Sequence, residues 1–93
     1  MTAPRIQREV TITNTRGLHA RAAAKFVKCA AVFDAEVWVT KEGITVSGQS
    51  IMGLMLLAAA PGNKILIDAA GRDATAAMAA LAALVDARFD EDR

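Results

Sequence analysis

Several residue types are scarce in this chain, and each scarcity excludes a class of protein. Cysteine occurs once, at Cys29, which excludes an internal disulfide, favours a reducing compartment and predicts a small packed residue. Aromatic residues make up 4% of the sequence, so we expect helices that pack on alanine rather than around large rings. One histidine, one cysteine and scattered carboxylates do not form a zinc ligand set, and we expect neither metal nor cofactor.

Long apolar runs and a large net charge are also missing. The longest apolar run, residues 51–61, is interrupted by Gly53 and is too short to span a bilayer. Residues 1–7 lack the apolar core of a signal peptide. A formal net charge of +1 argues against general nucleic-acid binding. We therefore expect a cytoplasmic protein, a monomer, without membrane insertion or a nucleic-acid partner.

The charge that is present is distributed unevenly. Residues 1–30 hold six basic side chains and one acidic side chain, Glu9. The other end of the chain collects acidic residues, namely Asp86, Asp90, Glu91 and Asp92. This asymmetry either steers an acidic partner toward the first helix or only keeps the surface solvated, and the pattern leaves both interpretations open.

The periodicity predicts a single α+β domain over residues 1–93, with a thin core and the order βαββαβα. Alternating or helical spacing places a strand ending near Asn14, a helix over 20–31, a hairpin over 37–46, a helix from Ile51 to about Ala60, a strand over 65–67 and a helix ending near Ala87. This order suits one sheet covered by helices on one face. Periodicity alone leaves a ferredoxin-like strand order open.

Two side chains are candidates for helix N-caps, Ser50 for the second helix and Asp73 for the third. The second helix is apolar nearly all round, so its spacing only weakly favours an inward face of Leu54, Leu57 and Ala58. The third helix is expected to present to the core the apolar residues Ala77, Leu81, Leu84 and Val85.

The only histidine, His19, lies within Gly17–Arg21, where the strand pattern gives way to the first helix. A helix start carries a partial positive charge, and its first N–H groups, here those of Ala20, Arg21 and Ala22, have no partner within the helix. These donors and the Arg21 guanidinium suit a phosphoryl group bound to the imidazole. On position alone, a capping or structural histidine is the favoured alternative.

Residues 17–21, followed by Ala23 and 25–27, resemble the active-site signature of the bacterial HPr family, the phosphocarriers of the phosphotransferase system. The resemblance continues through 33–37, through 49–55, which resembles the family's serine-site helix, and through 68–71. It implies an open-faced β-sandwich, with a four-stranded antiparallel sheet covered on one face by three helices.

The resemblance also implies a set of roles. Enzyme I, phosphorylated by phosphoenolpyruvate, would transfer the group to Nδ1 of His19 with help from Arg21, and an enzyme IIA domain would accept it. The protein would then be a phosphoryl carrier rather than an enzyme. Where the family usually has proline this chain has Ala22, a mild change because both residues suit the first turn of a helix.

Ser50 matches the residue that an HPr kinase phosphorylates in many relatives, although plain N-capping is the favoured interpretation from the residues alone. Ile51, Met52 and Met55 match the family's partner-docking surface. Helical geometry favours exposure for Met52, and burial for Ile51 and Met55.

A regulatory module that signals through its phosphorylation state, as in the nitrogen-related NPr branch, is the alternative function. The acidic ending Phe89–Asp92 resembles that branch.

Overall fold

The computed structural model describes residues 5–91, so Asp92 of the acidic end and residues 1–4 lie outside the described part. Its elements are β1 (Arg5–Thr11), α1 (Ala20–Ala31), β2 (Glu36–Lys41), β3 (Ile44–Ser47), α2 (Ile51–Leu56), β4 (Lys64–Ala70) and α3 (Ala74–Asp86), followed by a short helical turn over Arg88–Asp90. The predicted order βαββαβα is confirmed. Within residues 5–91, no helix has the length and apolar character needed to cross a membrane.

The four strands form one sheet in the order β1-β4-β2-β3, and every neighbouring pair is antiparallel. In the register, Val10 of β1 lies opposite Ile65 of β4, and Ile67 of β4 lies opposite Val39 of β2. These apolar partners share the covered face of the sheet. The strand order is that of the open-faced sandwich, which resolves the choice that periodicity left open.

The hairpin between β2 and β3 turns through Glu42 and Gly43, with φ of +50° and +82°. Positive φ at both central residues is the geometry of a two-residue hairpin turn whose twist matches that of the strands. Val37 and Val39 are buried, whereas Trp38 lies on the opposite, uncovered face of the sheet. The alternation predicted for this segment is therefore confirmed.

Helices α1 and α3 cover the sheet mainly with small side chains. In α1 the buried face contains Phe26 among alanines, and α3 buries Leu81 and Val85 beside Ala77. Alanine at these contacts lets the helix backbones approach closely, and Phe26, with no exposed surface, fills the centre. Leu84 is only half-buried, although it still packs against the core.

Helix α2 is shorter than predicted and ends at Leu56 rather than near Ala60. The last turn tightens into bonds between residues three apart, with the Ala58 N–H donating to the Met55 carbonyl at 3.0 Å. Ala58 then has a φ of +51°, which ends the helix. The predicted inward face is correct for Leu54 and Leu57 and wrong for Ala58, which is exposed while Ala59 is buried.

Asp73 precedes α3 as predicted, but its side chain makes no capping bond. Its carboxylate accepts instead from the Asp34 N–H at 2.8 Å, and its own N–H donates to the Asp34 carbonyl at 2.9 Å. The two bonds join the segment before β2 to the start of α3, which is why the carboxylate is turned away from the helix.

Candidate functional site

The loop between β1 and α1 is fixed by backbone contacts. The Gly17 N–H donates to the Asn14 carbonyl at 3.2 Å, and Gly17 has a φ of +63°. The next N–H, that of Leu18, donates to the Ala59 carbonyl at 2.9 Å. The left-handed backbone of Gly17 and the hydrogen bond of the buried Leu18 together fix the position of His19 at the start of α1.

His19 is the N-cap residue of α1, as predicted from the sequence, with an extended backbone at φ −77° and ψ −179°. Its carbonyl accepts the first helical bond, from the Ala23 N–H at 2.8 Å. The N–H groups of Ala20, Arg21 and Ala22 precede that bond and belong to the open helix start. The imidazole makes no capping bond, so it is available for other contacts.

The imidazole of His19 is 20% exposed and faces a different group with each nitrogen. Nδ1 lies 3.2 Å from the Gly17 carbonyl oxygen. Nε2 lies 3.9 Å from a carboxylate oxygen of Glu91. A hydrogen bond across this contact has Nδ1 as its donor, because a carbonyl oxygen only accepts hydrogen bonds.

His19 opens into a cleft with a volume of about 210 Å³, lined by three basic and two acidic side chains. The lining residues are Arg16, His19, Arg21, Ala22, Lys25, Phe89, Asp90 and Glu91. Arg21 is exposed, and among residues 5–91 its guanidinium has no ion-pair or hydrogen-bond partner. Because Arg21 lines the cleft without such a partner, its charge is available to an anion beside the imidazole.

Two residues of this site, Asn14 and Glu91, were not identified from the sequence. Asn14 is fully buried, and its Nδ2 donates to the Gly17 carbonyl at 2.8 Å and to the Glu91 carboxylate at 3.0 Å. The other Glu91 oxygen accepts from the Arg16 N–H at 3.1 Å. The pKa of the Glu91 carboxyl is lowered below its usual range, chiefly by the hydrogen bond from Asn14. The hydrogen bond from the Arg16 N–H and the nearby charge of His19 lower it further, while burial opposes them.

The acidic end of the chain folds back onto the basic helix α1. Lys25 donates to the Phe89 carbonyl at 2.8 Å and lies 4.0 Å from the Asp90 carboxylate. The charge asymmetry is thus partly neutralised inside the molecule.

The only sequence signal for Asn14 is its place three residues before Gly17, typical of a turn, and Glu91 has no local signal.

Ser50, the second predicted site residue, is the N-cap of α2, and its Oγ accepts from the Gly53 N–H at 2.9 Å. The residues that follow it form an exposed apolar surface. Met52 is 75% exposed, as predicted, but Ile51 and Met55, for which burial was favoured, are 40% and 43% exposed. Leu56, 75% exposed, extends the surface and was not identified from the sequence. We call Ile51, Met52, Met55 and Leu56 the α2 surface.

The remaining candidate chemistry is sparse. Cys29 is half-buried against the core, and this burial raises the pKa of its thiol. Residues 5–91 contain no group of three or more histidine, cysteine, aspartate or glutamate side chains placed to hold a metal ion.

Fold and site together define a small α+β domain that presents one histidine at a helix start, in a cleft lined by three basic and two acidic side chains. A family model described as the PTS HPr component phosphorylation site matches residues 6–87. The chain is 48% identical over 86 residues to phosphocarrier protein HPr of Neisseria meningitidis, covering 92% of this chain and 97% of that protein. It is 45% identical over 87 residues to phosphocarrier protein NPr of Shewanella violacea, covering 94% and 96%.

Solved structures agree with these sequence matches. The crystal structure of an HPr from Thermoanaerobacter tengcongensis superposes with a TM-score of 0.90 at 39% identity, covering 95% of this chain and 99% of that one. An HPr from Bacillus anthracis gives a TM-score of 0.81 at 44% identity, covering 85% and 94%. The chain belongs to the HPr family of phosphocarrier proteins of the phosphotransferase system.

Proposed function

We propose that this protein is a cytoplasmic, monomeric phosphocarrier that accepts a phosphoryl group from enzyme I on His19 and passes it to an enzyme IIA domain. The observation that carries the proposal is the placement of His19 at the N-terminus of α1, inside a cleft lined by Arg16, Arg21 and Lys25. Phosphoryl transfer needs little from a protein beyond positioning and charge stabilisation, and these groups supply both.

In the transfer, an imidazole nitrogen of His19 attacks phosphorus while the bond between the phosphoryl group and the donor breaks, and the donor keeps the electron pair of that bond. The group leaves His19 when a nucleophile of the acceptor attacks phosphorus, the His19 P–N bond breaks and the imidazole regains its lone pair. The helix-start N–H groups and the Arg21 guanidinium stabilise the phosphoryl oxygens.

The family's transfer atom, Nδ1, faces the Gly17 carbonyl in the resting arrangement. For Nδ1 to offer its lone pair to phosphorus, the ring must turn away from that carbonyl. We therefore infer that the imidazole reorients before transfer. Phosphorylation of protein labelled with ¹⁵N at histidine tests this, because phosphorus–nitrogen coupling identifies the phosphorylated nitrogen.

The test of the carrier function is incubation with phosphoenolpyruvate and enzyme I. We expect an acid-labile, base-stable phosphate on the wild type that is absent from His19→Ala. Chase with an enzyme IIA domain should remove it. A wild-type protein that stays unlabelled while a known HPr is labelled in parallel would refute the proposal.

Regulation at Ser50 is a further part of the proposal. Phosphorylation there would add about −1.5 to −2 charges beside the α2 surface and raise the desolvation cost of docking a partner on it. Support comes from the exposure of Met52 and its neighbours directly after Ser50. ATP and an HPr kinase should label the wild type and spare Ser50→Ala, and equal labelling of both would refute this site.

The alternative function is a regulatory module whose phosphorylation state controls binding to a target protein. The match to an NPr along nearly its whole length favours it. Phosphate flow from His19 to a sugar-specific enzyme IIA supports transport. Binding to a regulator that depends on phosphorylation, without transfer to such an acceptor, supports signalling.

A further inference from the structure

The C-terminal segment Arg88–Glu91 is held against the His19 cleft by specific contacts. Arg88, Phe89 and Asp90 have φ between +54° and +59°, a left-handed conformation that non-glycine residues rarely adopt. Phe89 is 2% exposed, and its carbonyl accepts from Lys25 at 2.8 Å. Burial of this ring and the lysine contact offset the backbone strain, and the resulting reversal directs Glu91 into the cleft.

The Glu91 carboxylate is bound in the cleft as an anionic ligand would be. One oxygen accepts from Asn14 Nδ2 at 3.0 Å, and the other accepts from the Arg16 N–H at 3.1 Å. Asn14 has no exposed surface, and its second amide proton is directed at the Gly17 carbonyl. The amide is therefore fixed in orientation, because both of its acceptors require the NH₂ group.

A phosphoryl group on His19 would share the cleft with this carboxylate. The Glu91 side chain is 11% exposed, and one of its oxygens lies 3.9 Å from Nε2. A phosphoryl group on Nε2 would meet the carboxylate directly, whereas one on Nδ1, which faces the Gly17 carbonyl, would be separated from it by the imidazole ring. Like charges repel across one ring as well, and limited solvent access weakens the screening.

We propose that Glu91 is a positioning residue whose carboxylate, held beside His19 by Asn14 and Arg16, repels the phosphoryl group, so that the phosphohistidine is kept easy to transfer. This inference rests on the proposed carrier function. Glu91 takes no part in bond making, since the P–N bond at His19 breaks as the bond to the acceptor forms. Its effect is to raise the free energy of the phosphorylated state.

The test uses phosphoramidate, a small donor that needs no enzyme I. The imidazole attacks its phosphorus, the reagent's P–N bond breaks and ammonia leaves. After removal of the reagent, loss of phosphohistidine is followed by ³¹P NMR at neutral pH for the wild type, Glu91→Gln and Asp86→Asn. Asp86→Asn is the matched control, because it removes one carboxylate from an exposed position at the end of α3.

We expect Glu91→Gln to lose its phosphoryl group about tenfold more slowly than the wild type, and Asp86→Asn to differ by less than about twofold. When wild type and Glu91→Gln are mixed with a catalytic amount of enzyme I, the phosphoryl group exchanges between them. At equilibrium the ratio of phosphorylated to unphosphorylated protein should be about tenfold higher for the variant. Loss of the fold would also remove Glu91 from the cleft, so Trp38 fluorescence must show that all three proteins are folded.

Equal or faster loss from Glu91→Gln would overturn the inference while leaving the carrier function intact. Labelling of His19 by phosphoramidate but not by enzyme I would instead refute the carrier function. The loss rates of the three chemically phosphorylated proteins would still decide the role of Glu91.

Discussion

Replacing Gly17 with alanine tests whether the loop before α1 is what places His19. Gly17 has a φ of +63°, and a Cβ built on it would collide with the Ala59 carbonyl oxygen. That oxygen accepts the Leu18 N–H at 2.9 Å, one residue before the histidine. The substitution therefore perturbs both the backbone conformation and the contact that anchors the loop.

The expected loss in the free energy of unfolding of Gly17→Ala has two parts, the backbone conformation and the lost hydrogen bond. A non-glycine residue in the left-handed region costs about 1–2 kcal/mol, and alanine recovers about 0.4–1 kcal/mol by restricting the unfolded chain. Displacing Ala59 leaves the buried Leu18 donor without its acceptor, which costs about 1–3 kcal/mol more. We expect Gly17→Ala to lower the free energy of unfolding by about 2–4 kcal/mol.

The Gly62→Ala variant measures the cost of the backbone conformation without the lost hydrogen bond. Gly62 also has a positive φ, +91°, but a Cβ there would meet nothing within 4 Å. Urea unfolding, monitored by Trp38 fluorescence, should show that Gly62→Ala lowers the free energy of unfolding by about 1 kcal/mol. Gly17→Ala should lower it by at least about 1 kcal/mol more. Equal losses would refute the reasoning, as would a Gly17→Ala protein that enzyme I phosphorylates at the wild-type rate.

The other predictions concern a cap, a helix turn and a carboxylate. Ser50→Ala should lower the free energy of unfolding by about 1 kcal/mol through loss of the N-cap bond, whereas Ser50→Gly should cost only a few tenths in the same urea titration. Ala22→Pro should change the initial phosphorylation rate by less than about tenfold, because the Ala22 N–H precedes the helical ladder, and abolished phosphorylation would contradict this. The folded-state pKa of Glu91 is lowered, so its contribution to stability is present at neutral pH and is lost as pH falls through that pKa. The melting temperatures of wild type and Glu91→Gln should differ at pH 7 and converge in acid, and a constant gap would contradict this.

The sequence by itself determined the features that depend on near neighbours along the chain. Alternation predicted the four strands, although β1 ends at Thr11 rather than near Asn14. Helical spacing predicted α1 over about 20–31, and the junction between strand and helix patterns placed His19 at a helix N-terminus. Ser50 as the cap of α2 follows from its place before an apolar run. Each of these depends on contacts within a few residues, so the local pattern was sufficient.

Only the tertiary structure decided the strand order, the end of α2 and the composition of the cleft. The α2 segment ends at Leu56, and the turn at Ala58 brings the Ala59 carbonyl to the Leu18 N–H. Asn14 and Glu91 are 77 positions apart, and only the return of the chain after α3 brings the carboxylate to the amide. No local pattern encodes a contact of that span, because it results from the packing of α3 and the burial of Phe89.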